Sequence, residues 1–162
     1  MYTYSFIADF GQALKTIPVL DPRPLQRWVV IVPSRDTALA DDLISTLRRV
    51  GQGFGIPVSD PRRVGLRGHH ESDFEDALTR DVPDGAELVV CILPGSGKNN
   101  GYRRVKEMCC LTRPIPSQCV LAKTLQKKQM LMSVCSKIIL QMNCKLGGAL
   151  YFCPVCVLLY CC

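Results

Sequence analysis

The sequence predicts an α/β domain whose mostly parallel sheet is covered by helices on both faces. Predicted strands and helices alternate along the chain, which is the order that a parallel sheet with crossover helices requires. The strongest predicted strands, over residues 28–32 and 87–93, are unbroken apolar runs, as expected of strands that are buried on both faces. The 162 residues, of which 48% are hydrophobic and 21% charged, suit one soluble domain with a real core.

The first third of the chain predicts a strand and a helix after a lead-in segment. Residues 1–26 carry little pattern and are interpreted as that lead-in. The β-branched run 28–32 predicts a buried strand, because a Pro-Ser pair follows it. Asp36 is placed to cap a helix over 37–50, in which apolar residues recur at spacings of three and four. The glycines that follow are expected to end this helix.

The middle of the chain predicts one weak strand, one short helix and one strong strand. Residues 56–58 predict the weak strand, whereas 59–70 are rich in Pro, Arg and Gly and predict a loop. Residues 72–79 predict a short helix with acids in its first turn, where they suit the helix dipole. The strong strand covers 87–93, and residues 94–101 predict the Gly- and Asn-rich loop after it.

Three elements are predicted beyond this loop. They are a helix over 102–110, a strand over 117–122 and a long helix over 128–146 that a Gly-Gly pair should cap. Residues 151–162 form an apolar, Cys-rich tail. Because ligands of parallel sheets bind at the carboxyl ends of the strands, we expect a binding site at the loop 94–101 and at the start of the next helix.

Positive charge is concentrated in one stretch. Residues 1–94 hold ten Lys/Arg and thirteen Asp/Glu, a balance of −3. Residues 95–146 hold ten Lys/Arg and a single acid, Glu107, a balance of +9. A one-signed block on regular structure is typical of a surface that holds an anion, and phosphate is the commonest such anion.

The loop PGSGKNNG fits neither of the common phosphate-binding motifs. A P-loop needs G-x-x-x-x-G-K-[ST], but Ile92 stands where the first glycine is required and Asn99 where the hydroxyl residue is required. The dinucleotide fingerprint G-x-G-x-x-G fails because Gly95, Gly97 and Gly101 are spaced one residue too widely. The sequence therefore disfavours an ATPase and a dehydrogenase.

Helical spacing suggests a different anion site. Tyr102 and Lys106 are four residues apart and project from one face of their helix, and Gln141 and Lys145 repeat this spacing on the last helix. Gln118 begins a strand between the two helices. These donors on three elements can converge on one anion. The alternative is that each is an ordinary solvated surface residue.

Several blocks of the sequence resemble the MID domain of Piwi-type Argonaute proteins. They are ELVVCILP, the Tyr-x-x-x-Lys of Tyr102 and Lys106, PSQCVLAKTL and KIILQMNCKLGG. The resemblance covers roughly residues 27–150 and implies a Rossmann-like MID domain that runs into the start of a PIWI domain. It implies that the chain binds the 5′-monophosphate end of a small, single-stranded, piRNA-like guide RNA in RNA silencing.

The resemblance also implies roles for individual residues. Tyr102 would stack on the first base, and Mg²⁺ would help to neutralise the phosphate near Gln141, because an amide oxygen can face a cation. The phosphate ligands would be Tyr102, Lys106, Gln118, Gln141 and Lys145. The nucleotide-specificity loop would be formed by Gly95, Ser96, Gly97, Lys98, Asn99 and Asn100.

After Gly148 the sequence departs from the family pattern and reads ALYFCPVCVLLYCC. The family's catalytic acids would lie further along the chain, so we expect a truncated or spliced form that is not an enzyme and has no slicer activity, because two-metal cleavage needs those carboxylates. The alternative is a truncated fragment that binds no RNA and acts only as a protein-interaction or regulatory piece, with proteins of the Piwi pathway as its partners.

The sequence also allows predictions of the cellular location and of the state of the cysteines. The sequence shows neither a signal peptide nor an apolar run of about 18 residues, so we expect no membrane partner and a location in the cytoplasm or the nucleus. The thiols should then be reduced. Cys91, Cys119, Cys135 and Cys144 are expected to act as small core residues.

Overall fold

A four-stranded, all-parallel sheet forms the centre of the fold, as the sequence predicts. The computed structural model describes residues 18–68, 70–94 and 101–150. The strand order is β2-β1-β3-β4, so β2 and β4 are the two edges. The strands are β1 Trp28–Pro33, β2 Arg62–Leu66, β3 Leu88–Leu93 and β4 Ser117–Leu121.

Helices cover both faces of this sheet. Those of the described residues are α1 Thr37–Phe54, α2 Glu71–Arg80, α3 Tyr102–Glu107, α4 Ala122–Leu125 and α5 Leu131–Lys145. Trp28 and Val30 pack with α1 and α5 in one core, whereas Val29 and Ile31 pack with α2 and α3 in the other. Successive strand residues point to opposite faces, so each central strand contributes to both cores. Every residue of β1 and β3 is buried, which confirms the interpretation of their unbroken apolar runs.

The prediction for residues 56–70 is wrong. The second strand is Arg62–Leu66, within the stretch expected to be a loop, and 56–58 contribute only an isolated bridge between Val58 and Leu25. The reason is that β2 is an edge strand in which only Val64 and Leu66 are buried. Such a strand needs no continuous apolar run, and its exposed arginines discourage pairing with another chain.

Helix α1 runs further than predicted. It continues past Gly51 and ends at Phe54, where Gly55 adopts a left-handed φ of 73° as the cap. A glycine occurs inside this helix because a Cβ on Gly51 would lie 2.5 Å from the carbonyl oxygen of Ile56. Asp36 stands at the predicted cap position, but its side chain makes no capping hydrogen bond, since a 3-10 turn leads directly into the helix.

The later helices are interrupted where the sequence predicts continuous ones. After α3 the chain forms one π-helical turn, Met108–Thr112, and α5 is preceded by the 3-10 turn Lys128–Met130. The short helix α4 falls in a stretch for which no helix was predicted. The Gly-Gly cap is confirmed, because Gly147 has a φ of 83° and the amide of Gly148 donates to the carbonyl of Asn143 at 2.9 Å.

The described part of the lead-in packs onto the domain. Val19 and Leu25 are buried in the same core as β1. Asp21 and Ala149 form an antiparallel bridge, so the two ends of the described chain lie side by side. The domain boundaries at 26 and 150 stay predictions, and the Cys-rich tail 151–162 lies outside the described residues.

The cysteine predictions hold in part. Cys91 and Cys135 are buried and Cys119 is partly buried, but Cys144 is exposed. Cys144 lies next to Lys145 on the outward side of α5, which faces away from the core. Among the described residues, no helix is both long enough and apolar enough to cross a membrane.

Candidate anion-binding site

The polar side chains singled out from the sequence meet at the edge strand β4. Ser117 pairs with Val89, which belongs to the core under α3, whereas Gln118 pairs with Val90, which belongs to the core under α5. The alternation along β4 therefore directs Ser117 towards α3 and Gln118 towards α5. Both residues are buried, and side chains from both helices reach them around the edge of the sheet.

Two lysines on opposite faces of the sheet donate to the same oxygen atom. Lys106 of α3 donates through Nζ to the carbonyl oxygen of Ser117 at 3.0 Å and to its Oγ at 2.9 Å. Lys145, the last residue of α5, donates through Nζ to the same carbonyl oxygen at 2.9 Å. Lys145 also donates to Oε1 of Gln118. The carbonyl oxygen of Ser117 thus accepts hydrogen bonds from two ammonium groups.

The remaining two side chains extend this network. Nε2 of Gln118 donates to Oε1 of Gln141 at 3.2 Å. The ring of Tyr102 lies over Lys106, with 5.9 Å between Nζ and the ring centroid, and 52% of Tyr102 is exposed. The structure therefore brings together all five residues that sequence analysis proposed, in one connected set with Ser117 at its centre.

No acid of the described residues neutralises the charge of the two lysines. Within the described ranges neither ammonium group forms an ion pair with a carboxylate. Burial, together with the positive charge of Lys106, lowers the pKa of Lys145. Two cations that share one neutral oxygen would both be stabilised by an anion between them. The arginines of the same basic block are already paired: Arg103 with Glu71 and Glu107, Arg104 with Glu75 and Glu107, and Arg113 with Asp84.

The position of the site corrects one expectation. Ser117 is the first residue of β4, so the lysine pair lies at the amino-terminal end of an edge strand and not at the carboxyl ends of the strands. Of the five side chains, only Tyr102 belongs to the start of the helix that follows β3. The open edge of β4 decides the location, because it lets long side chains from both helical layers reach one carbonyl. The predicted nucleotide-specificity loop, residues 95–100, lies outside the described residues.

Helix α3 is held in place by α2, and this fixes Tyr102 and Lys106. With six residues α3 is too short to be stable on its own. Arg104 donates to both carboxylate oxygens of Glu75, at 2.9 and 2.6 Å, and this contact lowers the pKa of Glu75. At the start of the helix, Gly101 adopts a φ of 78° against the ring of Phe74.

Neutral thiols lie behind the site. Burial raises the pKa of Cys109, while a hydrogen bond with Ser117 acts in the opposite direction. Burial raises the pKa of Cys119 to about 11, although the charge of Lys106 lowers it in part. Since only the thiolate is a strong nucleophile, these cysteines support the packing of α3 and do not supply a reactive group.

The site does not fit a metal ion held by protein groups alone. No cluster of three or more His, Cys, Asp or Glu in the described part of the chain has metal-binding geometry. The oxygen donors at the site are the carbonyl and hydroxyl of Ser117 and the amides of Gln118 and Gln141, and the two ammonium groups beside them repel a cation. Only a metal ion that is already bound to anion oxygens would fit here.

Fold and site together define a class of protein: an α/β domain that presents a converged cationic site on the edge of a parallel sheet. The crystal structure of the Arabidopsis thaliana AGO5 MID domain has this fold. It is 22% identical, with a TM-score of 0.64, and the match covers 84% of this chain and 99% of that one. The crystal structure of Drosophila Piwi is 28% identical with a TM-score of 0.84, over 91% of this chain and 21% of that one.

Sequence comparison identifies the family. The Piwi domain family matches residues 88–159. "Piwi-like protein Ago3" of Bombyx mori is 34% identical over 144 residues, which is 89% of this chain and 15% of that protein. "Piwi-like protein 1" of Danio rerio is 35% identical over 144 residues, which is 89% of this chain and 17% of that protein. The chain belongs to the Piwi-type Argonaute family and spans about a sixth of the length of these relatives.

Sequence reasoning did not find Ser117, the residue on which both lysines converge. The relevant atom is a backbone carbonyl oxygen, which every residue has, so the side-chain type carries no signal. Only the knowledge that β4 is an edge strand would have drawn attention to its unpaired carbonyl groups.

Proposed function

We propose that this chain binds the 5′-monophosphate end of a small, single-stranded, piRNA-like guide RNA and acts in RNA silencing. The observation that carries the proposal is the meeting of Lys106 and Lys145 on the carbonyl oxygen of Ser117. A terminal monophosphate has about 1.5 to 2 negative charges at neutral pH and several acceptor oxygens. It offers each ammonium group a charge-assisted hydrogen bond, which is stronger than a bond to a neutral carbonyl.

The other side chains of the site suit the same ligand. Gln118 and Gln141 have amide groups next to the lysines and can donate to further phosphate oxygens. Tyr102 presents a half-exposed ring on which the first base can stack, and a hydroxyl group that can donate to the phosphate. The Kluyveromyces polysporus Argonaute, which is 15% identical with a TM-score of 0.60, is solved with a guide RNA, which supports a nucleic-acid ligand.

Titration with short RNAs that differ only at the 5′ end tests this function. We expect tighter binding of the 5′-phosphate RNA than of the 5′-hydroxyl RNA. The measured quantity is the Kd of the 5′-hydroxyl RNA divided by the Kd of the 5′-phosphate RNA. A hydrogen bond to a charged group contributes about 1.5–3 kcal/mol, so Lys106→Ala and Lys145→Ala should each reduce the ratio by about tenfold or more.

Lys127→Ala is the matched control, because it removes one exposed positive charge outside the site. A contact of Lys127 with the RNA backbone would change both Kd values equally and leave the ratio unchanged. Equal binding of the two RNAs by the unaltered chain, with uniform loss of affinity in salt, would show only a general basic surface. That result contradicts the proposal, whereas no binding of either RNA would favour the alternative, a fragment that acts only as a protein-interaction or regulatory piece with no RNA bound.

We also propose that Mg²⁺ contributes only when the phosphate is bound, beside Gln141. Mg²⁺ should then lower the Kd for the 5′-phosphate RNA and leave the Kd for the 5′-hydroxyl RNA unchanged. Gln141→Ala should reduce this selective effect of Mg²⁺. An equal effect of Mg²⁺ on both RNAs would show general ionic behaviour and would remove Gln141 from the proposal.

Absence of RNA cleavage by this chain is a further part of the proposal. The described residues contain no group of three or more His, Cys, Asp or Glu that could hold a metal ion, and carboxylates hold the metal ions in two-metal cleavage. Incubation of the RNA-loaded protein with a complementary RNA and Mg²⁺ should yield no product, and a cut strand would overturn this part. Location in the cytoplasm or the nucleus is also proposed, and imaging of a tagged chain tests it.

A further inference from the structure

The buried amide of Asn143 connects the lead-in segment to the helix that carries Gln141 and Lys145. We propose that Asn143 is a positioning residue, which clamps residues 18–25 onto the last turn of α5 and thereby holds Lys145 in the anion-binding site. This inference rests on the proposed function and deepens it, because it makes the segment before β1 part of the device that recognises the 5′ end.

Both ends of the Asn143 side chain bind backbone groups of the lead-in. Its Oδ1 accepts a hydrogen bond from the amide of Arg23 at 2.7 Å, and its Nδ2 donates to the carbonyl of Asp21 at 3.1 Å. Asn143 is only 1% exposed, so these partners cannot be replaced by bulk water. An apolar residue here would remove the partner of the Arg23 amide and would leave the carbonyl of Asp21 with only the amide of Ala149 as donor.

The turn after α5 belongs to the same unit. The backbone carbonyl of Asn143 accepts from the amide of Gly148 at 2.9 Å. Asp21 and Ala149 exchange two backbone hydrogen bonds, of 3.0 and 3.2 Å. A Cβ on Gly148 would lie 2.4 Å from Nδ2 of Asn143 and 2.5 Å from the carbonyl oxygen of Asp21. The lead-in, the last turn of α5 and the glycine turn are therefore packed too closely to move independently.

This clamp matters for the site because Lys145 is the terminal residue of α5. The last carbonyls of a helix have no partners within the helix, so its final turn frays first. A long lysine side chain also loses rotamer entropy when it is held in one place. Lys145 can reach the carbonyl of Ser117 reproducibly only if its own backbone is fixed, and Asn143, two residues earlier, supplies that support.

Linkage makes the inference testable in the unaltered protein. If the two hydrogen bonds of Asn143 to the lead-in favour binding of the phosphate, then bound phosphate must favour, by the same factor, the state in which both hydrogen bonds are formed. Hydrogen exchange at the amides of Asp21, Arg23 and Ala149 should therefore be slower with 5′-phosphate RNA than with 5′-hydroxyl RNA. Equal exchange with the two RNAs would overturn the inference.

Substitution gives an independent test. Asn143→Leu keeps the number and branching of the side-chain heavy atoms and adds no charge near Lys145, but it removes both hydrogen bonds to the lead-in. It should lower the ratio of the 5′-hydroxyl Kd to the 5′-phosphate Kd by about fivefold or more, the lower end of typical coupling. Arg23→Ala is the matched control, since it keeps the backbone amide that Asn143 binds and removes only a surface ion pair with Asp21.

The outcomes separate this inference from the proposed function. No preference for the 5′-phosphate in the unaltered chain would defeat the proposed function and this inference with it. A normal preference that survives Asn143→Leu in full would defeat the inference and leave the proposed function standing. If Asn143→Leu does not fold, the exchange measurement on the unaltered chain decides.

Discussion

Replacing Gly101 with alanine should destabilise the fold and disturb the anion-binding site together. Gly101 precedes Tyr102, the first residue of α3, and it adopts a φ of 78°. An alanine in this left-handed region costs about 1–2 kcal/mol. Its Cβ would also lie 2.9 Å from Cδ2 of Phe74, a ring that is fully buried.

The two contributions together predict a loss of stability of about 2–5 kcal/mol, because forced overpacking in a core costs about 1–3 kcal/mol. Urea unfolding followed by fluorescence measures this loss. Trp28 is the single tryptophan and is 1% exposed, so its emission reports on the core. Gly53→Ala is the control of opposite sign. It lies inside α1 with no atom within 4 Å of the new Cβ, and it should stabilise by about 0.5–1 kcal/mol.

A double substitution separates strain from crowding. Combining Gly101→Ala with Phe74→Leu should cost less than the sum of the two single changes, because the smaller side chain relieves the contact but not the backbone strain. A loss below about 0.5 kcal/mol for Gly101→Ala alone would refute the reasoning. Strict additivity with Phe74→Leu would show that the ring does not restrict this position.

Three further predictions concern the site itself. Ser117→Ala removes the Oγ that accepts a hydrogen bond from Lys106 but keeps the carbonyl that both lysines share. RNA titration should then show the 5′-phosphate preference reduced about tenfold. An unchanged ratio of Kd values would contradict this prediction. Burial and the charge of Lys106 lower the pKa of Lys145. As the pH is raised, the preference for the 5′-phosphate should therefore begin to fall before about 10.4, the pH at which an ordinary lysine loses its proton. A ratio of Kd values that stays unchanged up to that pH would contradict the prediction. Burial raises the pKa of Cys119 to about 11. Peptide mapping at pH 8 should therefore find Cys119 alkylated much more slowly than the exposed Cys144. The alkylation rate of Cys119 should rise about tenfold per pH unit.

The sequence predicted those parts of the fold that depend on burial on both faces. β1 and β3 were found because a central parallel strand needs apolar residues at every position, and this pattern is rare elsewhere. β2 was missed because an edge strand buries only two side chains, Val64 and Leu66, in a stretch rich in Arg and Gly. The π-helical turn after α3 has no recognised sequence signal, so its position could come only from the structure.

Five side chains of the candidate site were proposed from the sequence, but Ser117 and the location of the site were not. Helical spacing placed Tyr102 with Lys106, and Gln141 with Lys145, because side chains four residues apart share a face. Where the two pairs meet depends on the strand order, which puts β4 at an edge. Asn143 was missed because an asparagine in a helix resembles any other polar residue until its partners, about 120 residues away, are known.

The basic block of +9 contains two kinds of charge, and salt dependence should distinguish them. Arg103 is paired with Glu71 and Glu107, and Arg104 with Glu75 and Glu107. The forked guanidinium group suits such carboxylates. Among the residues that the structure describes, no carboxylate forms an ion pair with Lys106 or Lys145, so these two lysines are available to an anion. Each phosphate contact on single-stranded nucleic acid contributes about 0.7 to the slope of log affinity against log salt. Replacing both lysines with glutamine should therefore reduce the slope for 5′-phosphate RNA by about 1.4, whereas Arg103→Gln should leave it unchanged. An equal effect of the lysine and arginine changes would mean that the block acts through its total charge and that the convergence on Ser117 is irrelevant to binding.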